Sequence, residues 1–258
     1  MKLRLNKGTE TSVLVLPDLH LEYGDRKSIA AVLDYAATKQ WDYVIQLGDF
    51  LDWDWISKFN VDDVEAHAAR RFKKVYAIGN SFLSALSDAV GEQTPKIIIE
   101  GNHDYRIKRL LEKTPSLKGT LEYEHNLNFA QNTVSYVPFW ETGETVELGH
   151  ATFVHGVYLS EYHARRTAME YGTNVFYAHT HDVQEHSVNF AGDNKTIIGQ
   201  SLGFLARYDL PQVNKGRPKK WQQAFAEFHF RPNGFFNHYV TRIFSHSFQA
   251  PDGRIYGG

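Results

Sequence analysis

Five short stretches of this chain carry side chains whose types and spacing could do chemistry. They are Asp18-Leu19-His20, Gly48-Asp49-Phe50-Leu51-Asp52, Gly101-Asn102-His103-Asp104, Val154-His155-Gly156 and Ala178-His179-Thr180-His181. Taken singly they mean little: Asp-x-His arises often by chance, Gly-Asp is an ordinary turn, and a lone His103 is more often a satisfied loop histidine than a catalyst. His179-x-His181 is stronger, because two imidazoles on one strand face are costly without a partner. Carboxylate, amide oxygen and neutral imidazole together are the ligands of hard divalent cations. The chain has no cysteine, which excludes disulfides and every thiolate site, zinc finger or iron–sulfur cluster alike. The chemistry on offer is that of two divalent ions, with Asp49 the natural bridging carboxylate. Oxygen and imidazole ligands suit manganese, the first expectation, or iron, zinc, nickel or magnesium, rather than copper(I). Two ions about 3.5–4 Å apart clamp a phosphoryl group and acidify a shared water. The resulting hydroxide attacks phosphorus in line with the leaving oxygen, with no covalent phospho-enzyme.

Each stretch follows an apolar run that predicts a strand, at residues 12–17, 43–47, 96–100, 151–154 and 174–178. In open α/β sheets, ligand sites gather at the carboxyl ends of strands, so five such ends would converge on one place. Helices are predicted over 26–40, where Ile29, Val32, Leu33 and Ala36 recur at three- and four-residue spacing, and over 106–113. A longer helix runs from Val61 towards Val90, with Asn60 as its cap and Asp62, Asp63 and Glu65 in its first turns. Residues 184–190 and 195–200, around Gly192-Asp193-Asn194, read as a hairpin. So do 225–230 and 236–244 around Pro232-Asn233-Gly234, and Pro251-Asp252-Gly253 marks one more turn. No repeat or low-complexity segment is visible, and the linker-like stretch 214–220 is too short to separate domains. The expected fold is α/β (α+β): a two-sheet sandwich flanked by helices, one domain over residues 1–258.

The bulk properties agree. A chain of 258 residues, 42% hydrophobic and 14% aromatic, can bury a large core, and domains split only beyond roughly 250–300 residues. A net charge of -2 gives no global field for nucleic acid, although a local groove could still bind one. The apolar run Val13–Leu16 ends at Pro17, shorter than the about 7–15 residues of a signal peptide and the about 20 of a membrane span. The expectation is a cytoplasmic protein with no membrane partner.

The ordered set Asp-x-His, Gly-Asp-x-x-Asp, Gly-Asn-His-Asp, His and His-x-His resembles the calcineurin-like metallophosphoesterase superfamily over residues 18–181. The remainder resembles phage-encoded members in Tyr158, Tyr162-His163-Ala164, Leu202-Gly203-Phe204-Leu205, Trp221 and Asp252-Gly253-Arg254-Ile255-Tyr256; a phage origin would place the protein in host cytoplasm. The resemblance implies one metal on Asp18, His20, Asp49 and His181, and a second on Asp49, Asn102, His155 and His179. It makes His103 the acid, placed to protonate the leaving oxygen or steady the transition-state charge, with Asp104 orienting its ring. Such a carboxylate fixes the tautomer and favours the protonated imidazole.

Three positions depart from that pattern. Ala178 replaces the usual glycine before His-x-His, and His155 precedes its glycine. Trp53 stands after Asp52, where many phosphomonoesterases of the superfamily carry a phosphate-gripping arginine. The loss of that grip favours a phosphodiester substrate, a nucleic acid or cyclic nucleotide. The alternatives are a phosphomonoesterase or protein phosphatase on the same site, and a non-catalytic scaffold on the same fold, like the retromer subunit. Arg70, Arg71, Lys73 and Lys74 read as a solvated helix face; Lys215, Arg217, Lys219 and Lys220, in a loop with Pro218, read as solvated surface and could otherwise track a nucleic-acid backbone. Of Arg106, Lys108 and Arg109, directly after the Gly-Asn-His-Asp turn, one could approach a substrate phosphate. Most of Phe50, Trp53, Trp55, Tyr105, Trp140 and Tyr158 should be core or wall. Tyr105 and Trp53 are the first candidates to stack a base or aryl group.

Overall fold

The computed structural model describes residues 1–56, 68–192, 195–209 and 220–258. The apolar runs form strands β1 (Thr11–Leu16), β2 (Tyr43–Gln46) and β3 (Lys96–Ile99), joined by helices α1 (Arg26–Ala36) and α2 (Ala68–Val90). These strands are parallel, and β4 (Val134–Val137) extends them. Their unbroken apolar runs follow from burial on both faces. Val13, Val15, Ile45, Ile97 and Ile99 point into one hydrophobic cluster, while Leu14, Leu16, Val44 and Ile98 point into another.

The second half supplies β5 (Val146–Leu148), β6 (Ala151–Phe153), β7 (Asn174–Tyr177), β8 (Glu185–Phe190), β9 (Lys195–Ser201), β10 (Ala224–Phe230), β11 (Phe236–Arg242) and a small hairpin of β12 (Ser247–Gln249) with β13 (Ile255–Gly257). The first sheet runs β11-β10-β1-β2-β3-β4 and the second β5-β6-β7-β9-β8. Between them lies a core that includes Phe153, Phe176, Phe228 and Phe230. The architecture is the expected two-sheet sandwich with helices outside it.

On the outer face of the first sheet, α1 and α2 bury Val32, Tyr35, Val75, Leu83 and Leu86. Asp25 caps α1 by accepting from the Ser28 amide at 3.1 Å, relieving one of the free N–H groups at a helix start. A further helix, α6 (His163–Tyr171), covers the second sheet; α3 (Tyr105–Lys113), α4 (Tyr123–Asn126) and α5 (Phe139–Thr142) complete the set among the described residues. The contact between α6 and β9 depends on Gly199, where an added Cβ would lie 2.2 Å from the Ala164 carbonyl oxygen.

The hairpin around residues 192–194 is borne out by the pairing of Phe190 with Lys195, although Asp193 and Asn194 lie outside the described residues. The cap at Asn60 and the acidic first turns of the long helix also lie outside them, as do Lys215, Arg217 and Lys219. Lys73 and Lys74 are exposed on α2, as a solvated face requires. No helix among the described residues is long and apolar enough to cross a membrane.

Candidate metal centre

The loops after β1 and β2 are stitched together by main chain: the Leu19 and His20 amides both donate to the Asp49 carbonyl, at 3.2 and 2.8 Å. The loop after β3 closes on the same point. The His103 amide donates to Asp49 Oδ1 at 2.8 Å, and a Cβ on Gly101 would sit 2.2 Å from Asp49 Oδ1. Only glycine lets that loop approach so near. From the second sheet, the His179 amide donates to Asp18 Oδ2 at 2.8 Å, and His155, directly after β6, donates Nδ1–H to the Leu47 carbonyl at 2.8 Å. The ends of β1, β2, β3, β6 and β7 therefore meet.

Two groups of ligand atoms result. Asp18, His20, Asp49 and His181 are mutually close, and so are Asp49, His155 and His179; Asp49 belongs to both. Asn102 Oδ1 lies 3.0 Å from His155 Nε2. Asp49 faces both ways, with Oδ2 3.6 Å from His20 Nε2 and Oδ1 3.5 Å from His155 Nε2. Asp18, His20 and His155 are fully buried and His181 nearly so. His20, Asp49, His179 and His181 all take left-handed backbone angles, with φ of 40, 49, 65 and 60°. Non-glycine residues there cost on the order of 1 kcal/mol or more each, and such strain concentrates at functional sites. Ala178 has no positive φ, so the missing glycine is tolerated.

One buried polar atom of the cluster is left without a partner. Asp18 Oδ1 has no hydrogen-bond partner, an expensive state for a buried carboxylate oxygen. His20 Nδ1 meets Asp52 Oδ2 at 2.8 Å, so its proton sits there and Nε2 offers a lone pair. That lone pair points at His181 Nε2, 3.1 Å away, itself 3.1 Å from Asp18 Oδ2. Lone pairs converging among buried side chains call for cations. Burial pushes the Asp18 carboxyl up to about 7. It holds the imidazoles down, His179 to about 3 and His181 to about 4, with neighbouring histidines adding to the effect. Neutral imidazole is the ligating form. Burial opposes ionisation of Asp49 as well, but the pull of the surrounding imidazoles, His103 first, holds its carboxyl well below the usual range. These residues fit divalent ions.

His103 stands beside this cluster, with Nε2 3.9 Å from Asp49 Oδ2. Its carboxylate partner is Asp52, not Asp104: Nδ1 lies 3.1 Å from Asp52 Oδ2 and 3.1 Å from the Asp52 carbonyl. The Asp104 side chain turns inward instead, accepting from the Phe50, Leu51 and Gly101 amides and from the Tyr123 hydroxyl. It braces the loop rather than the ring. Against the pull of burial, the charges of Asp49 and Asp52 and the bond to Asp52 lift His103 to about 9.

Trp53 belongs to the core and not to the mouth of the site. Its φ of 55° turns the indole into the core against Phe72 and Tyr76, where Nε1 donates to the Tyr123 hydroxyl at 2.6 Å. It cannot stack a substrate. The indoles beside the cluster are Trp140, 5.6 Å from the His179 ring, and Trp221, 4.7 Å from the His181 ring. Glu22 accepts from the Asp52 and Trp53 amides at 2.8 and 3.0 Å and fixes that turn; no pattern in the sequence distinguishes it.

The calcineurin-like phosphoesterase model matches residues 11–189, the span that builds this cluster. The chain belongs to that family. The matched span of this calcineurin-like phosphoesterase holds every residue of the candidate centre. Its relatives include the Gene 54 protein of Mycobacterium phage L5, 28% identical over 83% of this chain and 87% of that one, and the Gene 54 protein of Mycobacterium phage D29, 28% identical over 83% and 86%. Similar solved structures include vacuolar protein sorting 29 from Cryptosporidium parvum (14% identical, 93% of this chain and 95% of that one, TM-score 0.49). Vps29 from Chaetomium thermophilum is another (12% identical, 95% and 93%, TM-score 0.46).

Proposed function

We propose that this phosphoesterase cleaves phosphodiesters at a two-metal centre. Asp18, His20, Asp49 and His181 would hold one ion and Asp49, Asn102, His155 and His179 the other, Asp49 being common to both sets. The observation that carries the reading is Asp18 Oδ1, buried without a hydrogen-bond partner where the His20 Nε2 lone pair also converges. Divalent ions, manganese first, would supply Lewis acidity and a water ionised near neutral pH. The chain's own groups do the rest. His103 donates a proton from Nε2 to the leaving oxygen, Asp52 holds the ring in the tautomer that allows it, and Asp104 keeps the loop in place.

A diester is favoured over a monoester by charge. The side chain of Trp53, at the position of the usual arginine, is committed to the core, and the guanidinium at the mouth, Arg106, is already engaged by Asp52 and His103. A diester brings one negative charge where a monoester brings two. Trp140 and Trp221 flank the two halves of the centre and suit a nucleobase or aryl substituent, as in nucleic acids and cyclic nucleotides. The test is hydrolysis of bis(4-nitrophenyl) phosphate beside 4-nitrophenyl phosphate, with manganese, with chelator, and with His103→Ala. Chelator-sensitive diester cleavage that collapses in the variant supports the proposal. Preference for the monoester moves the assignment to a phosphomonoesterase, and metal binding without turnover of either moves it to a scaffold.

A further inference from the structure

Three basic residues follow the Gly-Asn-His-Asp turn, and their fates differ. Lys108 is held by Glu100 and Glu141 at 2.8 and 2.7 Å, and Arg109 is exposed. Arg106, on the first turn of α3, reaches into the centre. Its Nη1 donates to the Asp52 carbonyl at 2.7 Å, and its Nη2 lies 3.1 Å from His103 Nε2. Because His103 Nδ1 faces the Asp52 carboxylate and carbonyl, Nε2 is the ring atom left to meet the guanidinium. Arg106 Nη2 and His103 Nε2 therefore stand side by side at the edge of the cluster. With His103 as the acid, both nitrogens present N–H groups, two donors 3.1 Å apart. Only an acceptor set between them, an ester oxygen gathering negative charge, satisfies both.

We infer that Arg106 and His103 form a two-donor clamp on the departing oxygen of the ester, which makes Arg106 a catalytic residue on the leaving-group side. The inference rests on the phosphoesterase reading above and specifies its geometry. Water oxygen bonds to phosphorus. The ester P–O bond breaks with its electron pair going to the leaving oxygen, and that oxygen takes the proton from His103 Nε2. The proton lost by the water restores His103 over the cycle, and the guanidinium keeps all of its own. The position differs in kind from the arginine that Trp53 displaces: that residue grips the phosphoryl group, whereas Arg106 stands at the acid. Its effect must therefore scale with the charge left on the departing oxygen.

The experiment compares Arg106→Ala and Arg106→Lys with the parent, all manganese-loaded, on leaving groups of low and high basicity. The substrates are bis(4-nitrophenyl) phosphate and thymidylyl-thymidine, with 4-nitrophenyl phosphate and thymidine 5′-phosphate as the matching monoesters. For the better-cleaved class, Arg106→Ala should lose about tenfold in kcat on the aryl ester and at least about a hundredfold on the alkyl ester, the scale of one lost oxyanion donor. Arg106→Lys, keeping charge but not the fork, should recover part of the alkyl loss. In the metal-free protein, the ¹⁵N resonance of His103 Nε2 should move in Arg106→Ala. Equal losses on both leaving groups, or none, overturn the clamp while leaving the phosphoesterase reading standing. Failure of the parent chain on all four esters overturns both.

Discussion

Asp52→Asn isolates the most heavily shared side chain of the centre. Oδ2 of Asp52 receives His20 Nδ1 at 2.8 Å and His103 Nδ1 at 3.1 Å, while Oδ1 lies 3.5 Å from Arg106 Nη1. An amide cannot reproduce this. With its oxygen towards the two rings, its NH₂ meets the guanidinium; turned over, its NH₂ meets two ring N–H groups. Either way one charge-assisted bond to a buried group is lost, worth about 1.5–3 kcal/mol. At about 1.4 kcal/mol per factor of ten, that is a loss of roughly ten- to a hundredfold in kcat. The sign of the pH effect follows from His103. An acid works while protonated, so activity falls as pH climbs past its pKa. Asp52 is one of the groups that lift that pKa, so its neutralisation should bring the alkaline fall to lower pH. The assay is kcat/KM for bis(4-nitrophenyl) phosphate from pH 6 to 10 with saturating manganese, with metal content measured alongside. A variant within twofold of the parent, with its alkaline limb unmoved, refutes the assignment of Asp52 as the partner of His103.

Trp140→Ala should raise KM for aryl or nucleotide diesters roughly five- to a hundredfold, the range of about 1–3 kcal/mol per stacked base, and leave kcat nearly unchanged. An equal KM, or an equal rise for a dialkyl ester, removes Trp140 from the substrate's path. Away from the centre, Glu227 is buried beneath α1. It accepts from Tyr35, from Lys39 at 2.9 Å and from His229 at 3.2 Å. Although burial opposes ionisation, bonds from His229, Tyr35 and Lys39 hold its carboxyl below the usual range. Its contribution is thus present above ordinary carboxylate pKa values and lost as pH falls through the lowered one. Glu227→Gln should cost about 1–3 kcal/mol in urea unfolding at pH 7, with the gap to the parent closing at acid pH. A gap of the same size at both pH values contradicts this account.

The parts of this molecule that could be read from sequence are those fixed by local pattern. β1, β2 and β3 are buried on both faces, so they appear as unbroken apolar runs, and the polar residues at their ends inherit one location from the sheet. α6 escaped because its buried face is made of His163, Ala164, Thr167 and Ala168, too small and polar to show a helical stripe. β4 and β5 are only four and three residues long. Within the centre, Asp52 and Asp104 each stand beside a motif, and spacing alone could not say which would face His103. That depended on the turn held by Glu22 and on the three amides that draw Asp104 inward. Trp53 shows the same limit, since a left-handed backbone angle reverses the side on which its indole emerges.

Asp18, His20, Asp49 and Asn102 hang from one sheet, and His155, His179 and His181 from the other. The centre is therefore a seam between two leaves, and its width is a property of what fills the space behind it. Phe153, Phe176 and Phe228 lie in that filling with ring centroids 4.7 to 5.8 Å apart, close-packed and slow to yield. They act as a spacer gauge: trimming one would let the leaves settle nearer together and shift the imidazoles against the carboxylates, although no ligand had been touched. Selection on reactivity in this fold can thus act through the thickness of a layer of phenylalanines that never meets the substrate.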